Sequence, residues 1–292
     1  METLENPKLV KFLARDGLKL AGFVYGSNNH DPYPVVCLPG LTRTSHDFDL
    51  LAQYLSSEAG GQRKVICLDY RGRGASAYDN DWRNYSLPIE IDDLIAALSV
   101  FGLHHIDLIG TSRGGLLAML MAAVRPGVLN SVVLNDIGPE IEPTGLMRIK
   151  NSIEKQAIPS NIEEAADYLQ RIHGQQFTAF GPSDWARHAQ LSFAQDQDGS
   201  IAARYDPRLV KTMQSINIEE RIPDMWPQFA GLTNIPTLVL RGENSDILSR
   251  QTTQKMQEIH SKLRLVEIPG QGHAPDVGFG EIPKQIAGFL SA

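Results

Sequence analysis

The amino-acid sequence predicts an α/β protein with a mainly parallel sheet. Short runs of branched apolar residues alternate with helical patterns along much of the chain, and this alternation is typical of parallel sheets. Only the first two strand patterns follow each other directly, as in a hairpin. With 292 residues, of which 42% are hydrophobic and 21% charged, the chain is long enough for one such domain with an insertion.

The strand and helix patterns divide the chain into a core and an insertion. Strand patterns occupy residues 8–14, 18–25, 35–38, 64–68, 105–109, 131–134, 236–240 and 263–268. Helical patterns between them occupy residues 47–57, 87–101 and 116–124. From about residue 138 to 232 the strand patterns stop and helical patterns follow, including 163–172 and 184–194. So long a segment without a sheet element is not a loop. We therefore expect a core of residues 1–137 and 233–292 and a helical cap of residues 138–232.

Ser112 lies between Gly110 and Gly114 at the junction of a predicted strand and a predicted helix. This pattern is typical of a nucleophile elbow, a tight turn that exposes a serine hydroxyl at the edge of a sheet. Small residues are required on both sides because the nucleophile adopts a strained backbone conformation and neighbouring chains pass close to it. The alternative interpretation is a glycine-rich turn whose serine only caps the helix.

A serine nucleophile requires a histidine base and a carboxylate that orients the histidine. In such enzymes the acid and then the histidine follow the serine along the chain. The loop after residues 236–240 contains Asp246, and the loop after residues 263–268 contains His273. We therefore predict Asp246 as the acid and His273 as the base. Asp136, directly after a predicted strand, remains an alternative acid.

Other histidines and carboxylates compete for these roles. His46 follows the loop predicted to bind the oxyanion and can line the pocket, and His173 lies in the predicted cap. Neither lies in a strand-end loop after the acid, which favours His273. His188 falls in a helical pattern and is interpreted as structural or solvated. Glu243 is a further alternative for the acid.

The tetrahedral intermediate of acyl transfer carries a negative oxygen that needs two preorganised donors. One donor is predicted to be the backbone N–H of Arg113, which directly follows Ser112. The other is predicted to be the N–H of Leu41, in the loop after residues 35–38, where Gly40 permits a tight turn. A plain glycine turn is the alternative for this loop.

These motifs occur in the order seen in the α/β-hydrolase superfamily, and they span almost the whole chain. They are residues 38–41 (LPGL), 69–76 (DYRGRGAS), 110–114 (GTSRG), 241–246 (RGENSD) and 272–273 (GH). The sequence most resembles the bacterial branch that contains carboxylesterases, enol-lactonases and hydrolases of aromatic ring-cleavage products. The resemblance implies an α/β-hydrolase fold, with an eight-stranded, mostly parallel sheet and a helical cap inserted after the sixth strand.

The resemblance and a serine at position 112 together imply a hydrolase that forms an acyl-enzyme with a small-molecule substrate, most simply a carboxylic ester or a lactone. Cleavage of a C–C bond in a ring-cleavage-type diketone acid is an alternative, and so is a hydrolase-like receptor with little turnover. Arg43, Arg113 and Arg148 are candidate partners for a substrate carboxylate, and His46 is a candidate for the pocket wall. We expect the cap to determine substrate choice.

Composition argues against several other classes of protein. A net charge of −7 provides no basic surface for nucleic acid or anionic membranes. No stretch approaches the roughly 20 apolar residues that cross a bilayer, and the first residues lack the pattern of a signal peptide. We therefore expect a cytoplasmic protein without membrane or nucleic-acid partners. The sequence does not predict an oligomeric state.

Neither a metal nor a cofactor is expected. Cys37 and Cys67 fall in predicted core strands, which favours buried thiols over a disulfide, and two cysteines cannot form a four-ligand metal site. The glycines of residues 72–77 follow a strand but lack the third glycine of a dinucleotide-binding fingerprint.

Overall fold

Eight strands form one mostly parallel sheet. The computed structural model describes residues 7–26, 33–155, 157–195, 197, 200–215 and 223–292. The strands of the sheet are β1 (Lys8–Leu13), β2 (Lys19–Tyr25), β3 (Val35–Leu38), β4 (Val65–Asp69), β5 (Ile106–Thr111), β6 (Leu129–Asn135), β9 (Thr237–Gly242) and β10 (Leu263–Ile268). Their spatial order is β1-β2-β4-β3-β5-β6-β9-β10. Strand β2 is antiparallel to both of its neighbours, and every pair from β4 to β10 is parallel. The predicted fold class is confirmed.

Helices cover both faces of this sheet. Those outside the segment between β6 and β9 are α1 (Asp49–Ser56), α2 (Leu87–Val100), α3 (Arg113–Val124), α9 (Arg250–Ile259) and α10 (Ile282–Leu290). Apolar residues alternate along the strands, so that Val36 and Leu38 pack with α2 and α3, whereas Val35 and Cys37 pack with α1 and α10. The two-residue period of a strand therefore divides the core into two layers.

The chain between β6 and β9, residues 136–236, is called the insertion below. It contains α4 (Pro143–Glu154), α5 (Ile162–His173), α6 (Pro182–Ser192), β7 (Phe193–Gln195), β8 (Ile201–Ala203), α7 (Val210–Gln214) and α8 (Trp226–Ala230). The expectation that residues 138–232 hold no strand is wrong, because β7 and β8 form a two-stranded antiparallel sheet. Strands of three residues are too short to show an alternating pattern. The division into core and cap domains at residues 138 and 232 stays a prediction.

The insertion has a small apolar core of its own. Helices α5 and α6 pack together, and Leu169, Phe177, Trp185 and Phe193 are buried between them and β7. Helix α8 instead packs on α3, and its Phe229 joins the main core. The insertion is therefore attached to the sheet domain at its last helix.

Parallel strands place the loops after their carboxyl ends at one edge of the sheet. Strands β3, β5, β6, β9 and β10 lie side by side in this order in the sheet. The loops that follow them contain Gly40, Ser112, Asp136, Asp246 and His273. All the residues predicted to perform chemistry are thus gathered at this edge, where open α/β sheets bind their ligands.

Two further observations concern the described residues. Cys37 and Cys67 are free and buried in β3 and β4, as predicted. None of the helices in the described ranges has the length and apolar character that crossing a membrane requires.

Truncation of Leu108 should destabilise the protein far more than truncation of Leu13. Leu108 is 0% exposed in the centre of the sheet, whereas Leu13 on the edge strand is 59% exposed. We expect Leu108→Ala to lower the free energy of unfolding by about 2–5 kcal/mol and Leu13→Ala by no more than about 0.5 kcal/mol. Urea denaturation measures both, and equal losses would contradict the described core.

Candidate active site

Ser112 occupies the turn between β5 and α3. Its backbone has φ 50° and ψ −110°, a strained conformation for a residue with a side chain. A Cβ at position 110 would lie 2.4 Å from the backbone of Gly114, and one at position 114 would lie 2.2 Å from the carbonyl oxygen of Leu38. Glycine is therefore required at both positions, and the turn has the geometry of a nucleophile elbow.

His273 joins Ser112 to a buried carboxylate. Its Nε2 lies 2.8 Å from Ser112 Oγ, and its Nδ1 lies 2.9 Å from Asp136 Oδ2. The side chain of His273 is 7% exposed and that of Asp136 is 0% exposed. With the Nδ1 proton directed at the carboxylate, Nε2 is left as the acceptor for the serine hydroxyl.

The prediction that Asp246 accepts this hydrogen bond is wrong in the structure. Asp246 instead binds Arg148 of α4 through two hydrogen bonds, of 2.5 Å from Nε and 2.8 Å from Nη2. Burial raises the pKa of Asp246, but Arg148, a hydrogen bond from Gln176 and the charge of His273 together outweigh this effect and hold the pKa below its usual range. The carboxylate at His273 belongs to Asp136, the alternative acid named above. Asp136 directly follows β6, which is the neighbour of β5 in the sheet, and it therefore lies beside His273.

Asp136 is held by several donors. Its Oδ1 accepts from the N–H of Gly242 at 2.7 Å, and its Oδ2 accepts from Ser245 Oγ at 2.6 Å as well as from His273. Its backbone has φ 55°, and its own N–H donates to the carbonyl of Leu240 at 2.8 Å. These hydrogen bonds compensate for the loss of hydration when the carboxylate is buried. They also fix the orientation of the carboxylate towards His273.

The loop that carries His273 is fixed from two sides. Asn135, buried at the end of β6, donates from Nδ2 to the carbonyl of Pro275 at 2.8 Å. From the insertion, Ala179 donates its N–H to the carbonyl of Gly270 at 3.1 Å, and Arg187 forms an ion pair with Asp276. The imidazole is therefore positioned by both the sheet and the insertion.

The loop predicted to bind the oxyanion lies beside Ser112. A Cβ at Gly40 would lie 3.9 Å from the Cβ of Ser112. Within the described loops and turns, no backbone hydrogen bond uses the N–H of Leu41 or of Arg113. Arg73 donates from Nε to the carbonyl of Leu41 at 2.9 Å. Both predicted donors are thus available close to the serine, although their role stays a prediction.

A buried carboxylate, Glu90 of α2, connects the two predicted donor segments. Its Oε1 accepts from Arg73 Nη1 at 2.9 Å, and its Oε2 accepts from Arg113 Nε at 2.6 Å. Arg73 and Glu90 are both 0% exposed. Arg73 also reaches Leu41, so a single chain of hydrogen bonds runs from the loop after β3 to the first residue of α3. Sequence reasoning missed Glu90, because a glutamate in a helix is ordinarily solvated.

The chain around Arg73, residues 72–74, also contacts the insertion. Arg73 pairs with Tyr205 in an isolated antiparallel bridge, in which Gly74 donates its N–H to the carbonyl of Arg204 at 2.8 Å and Asp206 donates to that of Gly72 at 2.8 Å. The glycine-containing segment that follows β4 therefore connects the insertion to the loop of Leu41.

A cavity of about 220 Å³ lies above Ser112 and His273. Its floor includes Gly40 and Leu41, and its walls come largely from the insertion. The wall residues from α4, α5 and α6 include Arg148, Ile149, Ile153, Leu169, Ile172, His173, His188 and Leu191. The cavity is thus mostly apolar, with a few polar groups, as is usual for a small-molecule site.

Two of the three arginines predicted to bind substrate, Arg43 and Arg148, line this cavity, but each is paired with a carboxylate. Arg43 binds both oxygens of Asp47, at 2.7 Å each, and donates to Ser192 Oγ at 2.6 Å. Arg148 binds Asp246 as described. Their positive charges are therefore compensated within the protein, which weakens their attraction for an anionic ligand.

The other candidates lie outside the cavity wall. His46 is not among the described residues that line it. Its Nδ1 lies 3.1 Å from Asp49, which raises its pKa, and its ring packs on Phe23 with 5.1 Å between the centroids. The side chain of Arg113 is directed to Glu90. The predicted pocket role of His46 is therefore wrong, because its imidazole is engaged next to α1.

Two histidines of the insertion do line the cavity, His173 at the end of α5 and His188 in α6. Burial lowers the pKa of His173 to about 4, and the charges of Arg148 and Arg43 act in the same direction. Burial also lowers the pKa of His188 well below its usual value. Both imidazoles are therefore neutral at pH 7. The interpretation of His188 as structural or solvated missed its place in the wall.

Comparison with known proteins agrees with this arrangement. A family model described as the alpha/beta hydrolase family matches residues 35–287. A 3-hydroxybutyrate-oligomer hydrolase from Cupriavidus necator is 31% identical over 280 residues, covering 92% of this chain and 93% of that protein. A 2-(acetamidomethylene)succinate hydrolase from Mesorhizobium japonicum is 25% identical over 260 residues, covering 87% and 86%.

A solved structure is also similar over nearly its whole length. An alpha/beta hydrolase from Novosphingobium aromaticivorans has 36% sequence identity and a TM-score of 0.89, and the match covers 99% of each chain. The chain belongs to the alpha/beta hydrolase family, as its motifs implied. The family and the names of these relatives support hydrolysis as the general class of reaction.

Loss of the Glu90 charge should destabilise the protein strongly. Glu90→Gln would leave Arg73 and Arg113 facing each other across a buried site without a counter-charge, at a cost of about 3–5 kcal/mol in the free energy of unfolding. Glu58→Gln, at an exposed position, is the control and should change it by less than about 0.5 kcal/mol. Urea denaturation measures both, and similar values would show that the buried network contributes little.

Proposed function

We propose that the protein is a serine carboxylic ester hydrolase, in which Ser112 is the nucleophile, His273 the general base and Asp136 the acid that orients His273. The observation that carries this proposal is the continuous row of hydrogen bonds from Asp136 through His273 to Ser112, which ends at the cavity. This arrangement is the one by which a weakly nucleophilic hydroxyl is activated at neutral pH.

The reaction follows from the positions of these groups. Ser112 Oγ attacks the carbonyl carbon of the ester while Nε2 of His273 takes the hydroxyl proton, and the carbonyl electron pair moves to oxygen. The N–H groups of Leu41 and Arg113 stabilise this oxyanion. The tetrahedral intermediate then collapses and expels the alcohol, which takes the proton from His273. A water molecule, deprotonated by His273, hydrolyses the acyl-enzyme and regenerates Ser112.

The cavity supports a small substrate. Its volume of about 220 Å³ lies directly on Ser112, and the insertion supplies most of its walls. We therefore propose that residues 138–232 act as a cap, which excludes water and selects the substrate by shape. The links from the insertion to the loop of His273 and to Arg73 support this role, because they fix the cap relative to the reacting groups.

An ester of a short hydroxy acid is the substrate class best supported. The relative from Cupriavidus necator is named for hydrolysis of 3-hydroxybutyrate oligomers, which are esters of this kind. The alternative of a C–C hydrolase acting on a diketone acid is less well supported, because such a substrate carries a carboxylate. Both cavity arginines, Arg43 and Arg148, are already compensated by Asp47 and Asp246.

Removal of the Ser112 hydroxyl should abolish hydrolysis. We expect Ser112→Ala to lower kcat for p-nitrophenyl butyrate by at least about 10³-fold, because no other group forms the acyl-enzyme. Release of p-nitrophenolate measures the rate, and circular dichroism verifies that the variant is folded. Unchanged activity would rule out Ser112 as the nucleophile.

Asp136 and Asp246 should differ sharply when each is changed to asparagine. Asp136→Asn removes the carboxylate that fixes the tautomer of His273, and kcat should fall by about 10³–10⁴-fold, as in other serine enzymes of this type. Asp246→Asn is the matched control, since the hydrogen bonds of Asp246 go to Arg148 and Gln176 rather than to His273, and kcat should fall by less than about tenfold. The reverse order of effects would assign the acid to Asp246.

A further inference from the structure

The structure contains a neutral polar site in the wall of the cavity. His173 and His188 both line it, on neighbouring helices α5 and α6. In the part of the chain that the structure describes, no hydrogen bond or ion pair joins either imidazole to another protein group, although the ring of His188 contacts the rings of Phe177, Phe180 and Trp185. Their nitrogens are therefore available to a ligand.

The charges around these imidazoles favour an uncharged ligand group. The charged groups that act on them are Arg43, Arg148, Arg187 and Asp246. Each of the three arginines is paired with an aspartate, namely Asp47, Asp246 and Asp276 respectively. A carboxylate at this point would meet no uncompensated cation, whereas a neutral imidazole offers one N–H donor and one nitrogen acceptor.

The helices that carry the two histidines also present apolar side chains to the cavity. Ile149, Ile153, Leu169 and Ile172 surround the site with apolar surface. A polar nitrogen enclosed by such surface loses hydrogen bonds to water when a ligand fills the cavity, and this costs free energy unless the ligand replaces them. A ligand hydroxyl, which both donates and accepts, restores one bond to each imidazole.

We propose that His173 and His188 form a subsite that binds the hydroxyl group of a hydroxyacyl ester, so that the enzyme prefers hydroxyacyl esters to plain acyl esters of the same length. This inference rests on the proposed ester hydrolysis and adds the residues that select the substrate. The two histidines bind the part of the substrate that does not react, while Ser112 attacks its carbonyl group.

The test compares two esters that differ by one hydroxyl, p-nitrophenyl 3-hydroxybutyrate and p-nitrophenyl butyrate. We expect the wild-type kcat/KM to be about tenfold higher for the hydroxyacyl ester, as one or two additional hydrogen bonds allow. In His173→Leu and His188→Leu this ratio should fall to nearly one, because kcat/KM falls more for the hydroxyacyl ester than for the butyrate ester. His173→Asn, which retains a donor and an acceptor, should keep part of the preference.

Matched controls and a third substrate define the outcomes that overturn the proposal. Ile172→Ala alters the same wall without removing a polar group, so it should leave the ratio unchanged. A ratio near one in the wild type, or equal losses for both esters in the histidine variants, would overturn the subsite. So would a preference for the monoester of succinate, which places a carboxylate at this point.

Failure of the subsite and failure of the proposed function give different results. If the subsite alone is wrong, the wild-type enzyme hydrolyses both esters in a Ser112-dependent manner without discriminating between them. If ester hydrolysis itself is wrong, neither ester is hydrolysed and Ser112→Ala equals the wild type, which overturns both proposals.

Discussion

The hydrogen bonds of one buried carboxylate, that of Asp136, hold the reacting edge of the sheet together. They reach the end of β9 through Gly242, the following loop through Ser245 and the loop after β10 through His273. Burial of this carboxylate without hydrogen-bond donors would lower the free energy of unfolding by several kcal/mol, about 3–5 kcal/mol in comparable cases. The folded state therefore keeps all of these donors in place around Asp136. The positions of these three loops therefore follow from the need to satisfy one buried charge.

A second buried carboxylate performs the corresponding task for the oxyanion donors. Glu90 lies between Arg73 and Arg113, so the loop of Leu41 and the start of α3 share one anchor. The backbone pairing of Arg73 with Tyr205 extends this anchor into the insertion. The N–H groups proposed to stabilise the intermediate are thus held by the same segment that contacts the insertion, and preorganised donors of this kind are a principal source of electrostatic catalysis.

The sequence was sufficient for the fold class and for the meeting of Ser112 with His273, because glycine spacing and position after a strand are local properties. It could not distinguish Asp136 from Asp246. Both follow a strand, and the choice depends on which strand lies beside β5 and on where Arg148 reaches, which are properties of the folded chain. His188 was missed for a similar reason. A histidine in an amphipathic helix has the same local pattern whether its face meets solvent or closes a cavity.

The ion pair of Asp246 with Arg148 has a consequence for how the enzyme can diversify. Since Asp136 at the end of β6 binds His273, Asp246 in the loop after β9 does not make that hydrogen bond and instead holds α4 against the cavity. Variation at these two positions can move a cavity wall without disturbing the tautomer of His273. Because each residue compensates the charge of the other, a joint exchange of both would reshape this wall and leave the hydrogen bonds of His273 in place, which makes the pair a starting point for directed evolution.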